Sequence, residues 1–395
     1  MASVITVRNS SSLARSLHSV RTLRLTLGLT ILFGALVAFF GFGWDIQWHG
    51  LIGRDRTLIP PHLVILSGVT LSGVAALLAV LVETIWARRN PDITTSGVRF
   101  AGAFHGALGA YMAGFAALDA AIAFPLDQYW HALYGIDVSI WAPFHIMEIM
   151  GLGLTALGAA YMLLSATRLA SGANARGLTR AGYIATIVAF ATVLNIFTLL
   201  LISAFQDREF ITLGNVTFNL FPMFSGLLVA WFLVAAVYAI PWRRVASFIT
   251  LVYVFLALLT MMVVPPAMRW LMANEHLSYR SDIPAGHLRS ANFSFVAMEL
   301  PLAIILGAIL IDLCCWLAQR KRWPKSTLLA TLAVAALVGS LPVTPMDGTI
   351  SLQLVQHVGT PGLLVTILFG SLGVFIGAWF GQRMGVSMQQ VEGEA

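Results

Sequence analysis

Charge is what this chain has least of. Only 10% of its 395 residues are Asp, Glu, Lys or Arg, against 58% hydrophobic residues, and the mean hydropathy is +0.85. A soluble domain cannot hide so much apolar surface, so long charge-poor runs exclude one and point to membrane-spanning segments. The runs also exclude a membrane β-barrel, whose strands alternate polar and apolar residues, whereas these are unbroken. Cysteine is nearly missing. The two present, Cys314 and Cys315, are adjacent, a poor arrangement for a disulfide, and read as packing residues. No G-x-x-x-x-G-K-[ST], H-E-x-x-H or C-x-x-C occurs, so the commonest phosphate, zinc-protease and redox signatures are absent. The first apolar run is too long for a removable signal and lacks a small-residue cleavage pattern, so it is expected to be an anchor.

What is present is an all-α pattern: a polytopic integral membrane helical bundle. Ten spans are expected, near 23–43, 61–86, 99–124, 141–167, 180–204, 217–240, 245–264, 293–318, 326–342 and 360–381. All but six of the 23 Lys and Arg residues fall on one side of this arrangement. The excess of basic residues marks the cytoplasmic side, which puts both termini in the cytoplasm and the chain in the cell's inner (cytoplasmic) membrane. The same asymmetry accounts for the net charge of +6, so no nucleic-acid partner is needed to explain it. Three parts follow: a basic cytoplasmic tail at 1–22, a four-helix unit at 23–167, and six further spans over 168–395.

Histidine carries the chemical signal. Of nine, His18 lies in the basic tail and His105 toward the inner half of the third span. The other seven (His49, His62, His131, His145, His276, His287 and His357) fall on the outer side. Four of them belong to two matching stretches, "WDIQWHGLIGRDRTLIPPH" and "LDQYWHALYGIDVSIWAPFH". Asp45 and Asp127 stand four residues before His49 and His131, each of which follows a Trp (Trp48, Trp130). Gly53 and Gly135 come four residues after those histidines, then Asp55 and Asp137. Pro60 and Pro143 precede His62 and His145 by two. Each unit reads as a helix end, a short loop and a Pro-led helix start, giving internal helix–loop–helix repeats.

Asp and His at i and i+4 share one helical face, and a His in the first turn of the returning helix can close a site from the other wall. One carboxylate and two imidazoles suit Cu, Zn, Fe or Ni. Ionisable groups beside lipid are costly and are usually kept for function. The same residues could instead brace the hairpin through hydrogen bonds. Glu148, three residues after His145, is a candidate extra ligand, a proton acceptor, or a simple hydrogen-bonded helix Glu.

At these positions the chain resembles a known family. Asp45-x3-His49-x12-His62, with Trp48, Arg54-Asp55 and Pro60-Pro61 in their places, is similar to the D-x3-H-x12-H motif in the C subunit of particulate methane and ammonia monooxygenases. Asp127-x3-His131-x13-His145 is similar to that subunit's second motif, N-x3-H-x13-H, with Asp127 where the family has Asn. The resemblance covers residues 25–167. It implies copper in an intramembrane, outward-facing setting and O2-dependent hydroxylation of a small substrate, with zinc or iron as alternatives. It also implies partners, either the other subunits of such a complex or further copies of this chain. The six spans beyond 167 have no counterpart in the shorter family subunit. A non-enzymatic metal-handling or transport protein, or a structural membrane scaffold, is the alternative function.

Other candidates are weaker. Asp119 and Asp312 lie inside apolar runs and suit either proton relay or pairing with a neighbouring helix. Residues 207–224 read as a third, degenerate repeat: Asp207 and Pro222 keep the spacing, but Ile211 and Phe224 replace the histidines. The stretch 265–292, with Glu275, His276, Asp282 and His287, is expected to be an outer loop, either a lid or a solvated connection. Glu299 could face the same cavity.

Overall fold

The computed structural model describes residues 2–53, 58–135, 140–169, 176–202, 210–280, 292–298, 300–341, 343 and 350–390. The chain is a bundle of helices with two small β-hairpins. Helices α1 (Ala2–Leu51) and α2 (Pro60–Arg89) are followed by the hairpin β1–β2 (Val98–Phe100 with Phe104–Gly106). Then come α3 (Leu108–Tyr134), α4 (Pro143–Arg168), α5 (Arg176–Ile202) and the hairpin β3–β4 (Phe210–Leu213 with Val216–Asn219). The remainder is α6 (Phe221–Ala239), α7 (Val245–Glu275), the one-turn α8 (Phe295–Met298), α9 (Ala303–Lys321), α10 (Lys325–Gly339) and α11 (Ile350–Ser387). Among the described residues, nine helices are long and apolar enough to cross a membrane.

Several expected boundaries move, each for a local reason. Residues 2–22, expected as a tail, continue α1 without a break. The third span does not begin at 99, because 98–106 fold into the β-hairpin and α3 starts at Leu108. Helix α7 runs through Pro265 and Pro266 to Glu275. Such prolines remove two backbone donors, a loss that membrane helices tolerate when neighbours cover the freed carbonyls. The expected outer loop therefore starts at His276, not at 265. The eighth span divides into α8 and α9. The ninth expected span is α10, whose 15 residues cover about 22 Å, short of a ~30 Å hydrocarbon core. Pro222 leads α6 as the repeat requires, but Ile211 lies in strand β3 where the first two units have helix, so the third unit does not keep their shape.

Small residues set the helix spacing. A Cβ added to Gly68 on α2 would lie 2.4 Å from the Gly34 carbonyl oxygen and 2.6 Å from the Ala38 nitrogen of α1. Between α3 and α4 the same holds for Gly158, 2.5 Å from the Ala113 nitrogen, and for Gly109, 2.4 Å from the Gly158 oxygen. Backbones this close leave room only for hydrogen at these positions, a common means of joining helices where lipid offers no hydrophobic drive. Helix α4 also packs on α1 and α5, so the first four helices form one unit whose core is continuous with that of α5, α6, α7 and α9.

One end of this unit holds a buried ion pair. Arg24 of α1 meets Glu83 of α2 through two parallel bonds, Nε to Oε1 at 2.9 Å and Nη2 to Oε2 at 2.7 Å. Its Nη1 donates to the Ser165 hydroxyl of α4 at 3.2 Å. Both charged side chains are essentially inaccessible, at 1% and 0% exposure. His105 of β2 is buried beside them. Burial holds its imidazole below the ordinary value, against the pull of Glu83, so it folds neutral. Asp312 of α9 accepts the backbone N–H groups of Ala246 and Ser247, at 3.2 and 2.8 Å, and so caps α7. That bond is a structural use of Asp312, as the pairing alternative expected. Asp119 is half-buried on α3. Cys314 and Cys315 are free thiols on α9.

Two outcomes follow. Glu83→Ala removes both carboxylate bonds from the buried Arg24 and should cost roughly 3–5 kcal/mol in unfolding of the detergent-solubilised protein. The double substitution Arg24→Met/Glu83→Leu should recover most of that loss. Acidification should act through His105: the unfolded chain takes up a proton that the folded one refuses, so stability is lost as pH falls through the ordinary imidazole range. Thermal unfolding across pH should show a shallower acid limb for His105→Gln than for the parent.

Candidate metal centre

Both repeat hairpins are built by the same local devices. Helix α1 stops where Gly53, at φ +70°, turns its N–H back to the Trp48 carbonyl. Helix α3 stops where Gly135, at φ +87°, donates to the His131 carbonyl. This left-handed region is open to glycine at little cost, which explains why the glycine recurs four residues after each histidine. The returning helices begin with Pro60 and Pro143 in the first turn, where a missing N–H costs nothing. His62 and His145 thereby sit in the first turn of α2 and α4, facing the last turns of α1 and α3.

The six expected ligands form two tripods. In the first, Asp45 Oδ1 lies 3.5 Å from His49 Nε2 and 3.1 Å from His62 Nε2. In the second, Asp127 lies 3.6 Å from His131 Nε2 through Oδ2 and 3.4 Å from His145 Nε2 through Oδ1. Within each tripod one ligand atom per residue lies within 4.8 Å of the others. All six side chains are largely buried, none more than 18% exposed. The imidazole centroids are 6.0 Å apart in the first tripod and 5.9 Å in the second.

These spacings admit an ion. A metal bonded to N and O at about 2.1 Å with tetrahedral angles sets its ligand atoms about 3.4 Å apart, and the four Asp–His edges bracket that value. A carboxylate–imidazole hydrogen bond would draw the atoms to about 2.8 Å. Consistent with this, Asp45 Oδ1 and Asp127 Oδ1 are both buried without a hydrogen-bond partner. A buried oxygen of that kind is costly unless something else satisfies it. One carboxylate and two imidazoles offer a divalent ion three donors and one compensating negative charge.

The tripods are neighbours. His62 lies edge-on to Phe124 of α3, ring centroids 5.2 Å apart, three residues before Asp127. Glu148, on the buried face of α4, feels the charges of Asp45 and His62 from one tripod and of Asp127 and His145 from the other. It belongs to neither ligand cluster. His105 sits at the other end of the unit, and His276 ends α7 in a left-handed turn. Arg54, Asp55, Asp137, Asp207, Asp282, His287 and Glu299 lie outside the described residues.

The surroundings of the two tripods differ. The outer half of α7 lies against the first. Trp48 is buried with Val264, Met268 and Leu271, and Trp44 Nε1 donates to the Met268 sulfur at 3.0 Å. Arg280 donates its backbone N–H to the Leu51 carbonyl at 2.9 Å. Gln47 donates to the Phe293 carbonyl at 2.9 Å. Leu277, Tyr279 and Arg280 thus fold back onto the hairpin, while His276 and Ser278 stay exposed. Trp130, the counterpart of Trp48, packs on Tyr134 and Phe144 of its own hairpin, at 4.4 and 5.9 Å. Sequence reading passed over Gln47 and Arg280. A buried amide two residues from Asp45, in the last turns of a spanning helix, was the available signal for Gln47.

Compared with protein-family models, with curated proteins and with solved structures, the chain matches none.

The helix spacing links fold to site. Gly68→Ala should push α2 off α1 and weaken metal retention at the first tripod alone, and Gly158→Ala should do the same for the second. Metal content of each purified variant, measured beside wild type and beside the pair combined, checks the separation: the losses should add.

Proposed function

We propose that this is an integral membrane copper protein that binds one ion in each tripod, at Asp45, His49 and His62 and at Asp127, His131 and His145. The observation that supports it best is the pair of buried carboxylate oxygens without a hydrogen-bond partner: Asp45 Oδ1 lies 3.5 and 3.1 Å from two imidazole nitrogens, and Asp127 Oδ1 lies 3.4 Å from one, with Oδ2 of the same carboxylate 3.6 Å from the other. The donor set admits copper, zinc or iron, and the choice of copper rests on the resemblance to the monooxygenase C subunit. The basic residues gathered at the end opposite the tripods support an outward-facing site in the inner membrane, with both termini in the cytoplasm.

Copper, when bound, supplies one-electron redox chemistry able to activate O2. The chain's own residues do the rest. The two aspartates offset the ion's charge. The histidines hold it at the seam between antiparallel helices, which fixes the distance between the two walls. Apolar side chains such as Phe124, Trp48 and Phe144 keep bulk water away, which protects a reactive oxidant and strengthens the local electrostatics. Glu148 adds a third carboxylate in the field of both tripods. The reaction proposed is O2-dependent hydroxylation of a small substrate within a complex of membrane subunits.

Elemental analysis of protein purified from membranes should find two copper ions per chain. His49→Ala and His131→Ala should each remove one, and the double variant both. Unchanged metal content in both single variants would end the site assignment, and zinc or iron in place of copper would end the copper reading. Copper bound without O2-dependent turnover, with all partner subunits present, would favour metal handling over hydroxylation.

A further inference from the structure

At the end of the bundle opposite the tripods, a cavity of about 1340 Å3 opens between α7 and α9. Its position follows from α7, whose other end packs against Trp44. One wall is a ridge along α9, Ile305, Ile309, Leu313 and Trp316, and the facing wall carries Phe248 and Leu251 of α7. These six side chains are 40–66% exposed, so the cavity is an apolar groove open sideways toward lipid.

The mouth of the groove is cationic. Arg243 and Arg244, in the turn before α7, line it and are exposed, and neither makes an ion pair among the described residues. Asp312 is the acidic residue in the lining, and its carboxylate is occupied by the Ala246 and Ser247 N–H groups. It leaves the arginines uncompensated. Arg320 adds positive charge nearby, over the Trp316 ring at 5.4 Å. Trp242 and Trp323 also line the cavity, residues typical of the headgroup level. Deeper in, Thr250 lines the groove with a buried hydroxyl that has no hydrogen-bond partner. It lies about 9 Å along α7 from Arg244, by helical rise. Threonines elsewhere in the bundle, such as Thr155, Thr186 and Thr192, bond back to the carbonyl four residues earlier.

We infer that this groove is a binding site for one anionic glycerophospholipid. The phosphate sits between Arg243 and Arg244, the glycerol-ester region lies at the depth of Thr250, and an acyl chain follows the α9 ridge. The charge separates this site from the general lipid contact of the bundle, because a zwitterionic headgroup brings its own cation to a mouth that already holds two.

The test uses the full chain in nanodiscs of equal phosphatidylglycerol and phosphatidylcholine with identical acyl chains, then release into detergent and native mass spectrometry. Wild type should retain one phosphatidylglycerol per chain in at least tenfold preference to phosphatidylcholine. Arg243→Gln/Arg244→Asn should lose that preference, and Arg243→Lys/Arg244→Lys should largely keep it. Ile309→Trp, which fills the groove without touching the charges, should also abolish retention. Thermal unfolding of each variant reports whether it folds. Three results overturn the inference. The first is equal retention of both lipids by wild type. The second is retention that survives Ile309→Trp, which would mean mere surface attraction. The third is a second protein chain bound where lipid was expected, with lipid absent.

Discussion

Backbone-to-backbone contact between helices is the constraint on which the rest of this molecule depends. Lipid gives neighbouring helices little reason to associate, so they must approach until dispersion and fixed dipoles suffice. Gly34 against Gly68, and Gly109 against Gly158, permit that approach. Near contact along the middle of each helix pair places Asp45 opposite His62 and Asp127 opposite His145. With larger residues at the crossing, the helix ends would stand ångströms further apart and no single ion could touch both walls.

A second constraint is where polar atoms can be afforded. The tripods and Asp312 act where the helix pattern is already interrupted. The tripods use the last turns before a glycine stop and the first turns after a proline start. The Arg24–Glu83 pair lies instead within α1 and α2, where each charge is matched by the other, and Asp312 uses the orphan N–H groups of α7. Charges in the apolar interior are thus matched either by another charge or by helix-end backbone, which is the economy a low-dielectric setting imposes.

Much of this was legible before any coordinates. Composition required a helical membrane bundle, and the recurrence of Asp, Trp-His, Gly and Pro-x-His named all six tripod residues. Their convergence could be read ahead because i, i+4 spacing and helix stop signals are local, and the two clusters are assembled from local pieces. The reading failed where the decision was tertiary. Pro265 and Pro266 look like the end of a span, yet α7 continues through them to Glu275. The hairpin at 98–106 is apolar enough to resemble a span start. Nothing in a hydropathy profile says that Glu83 meets Arg24 across 59 positions, that residues near 280 fold onto the first hairpin, or that α7 and α9 part to leave a groove.

The first hairpin is held at three levels: the Arg24–Glu83 pair at one end, the glycine crossing midway, and the α7 buttress around Trp48 at the other. A frame pinned in this way does not need an ion to bring its walls together. The cost of organising the three side chains is met during folding, so an ion bound as proposed would find its ligands already in place. In kinetic language, the on-rate of the proposed ion at the first tripod would read the path to it. At the second, the tryptophan packs against Tyr134 and Phe144 of its own hairpin, so that support is local to the pair of helices that carries the ligands.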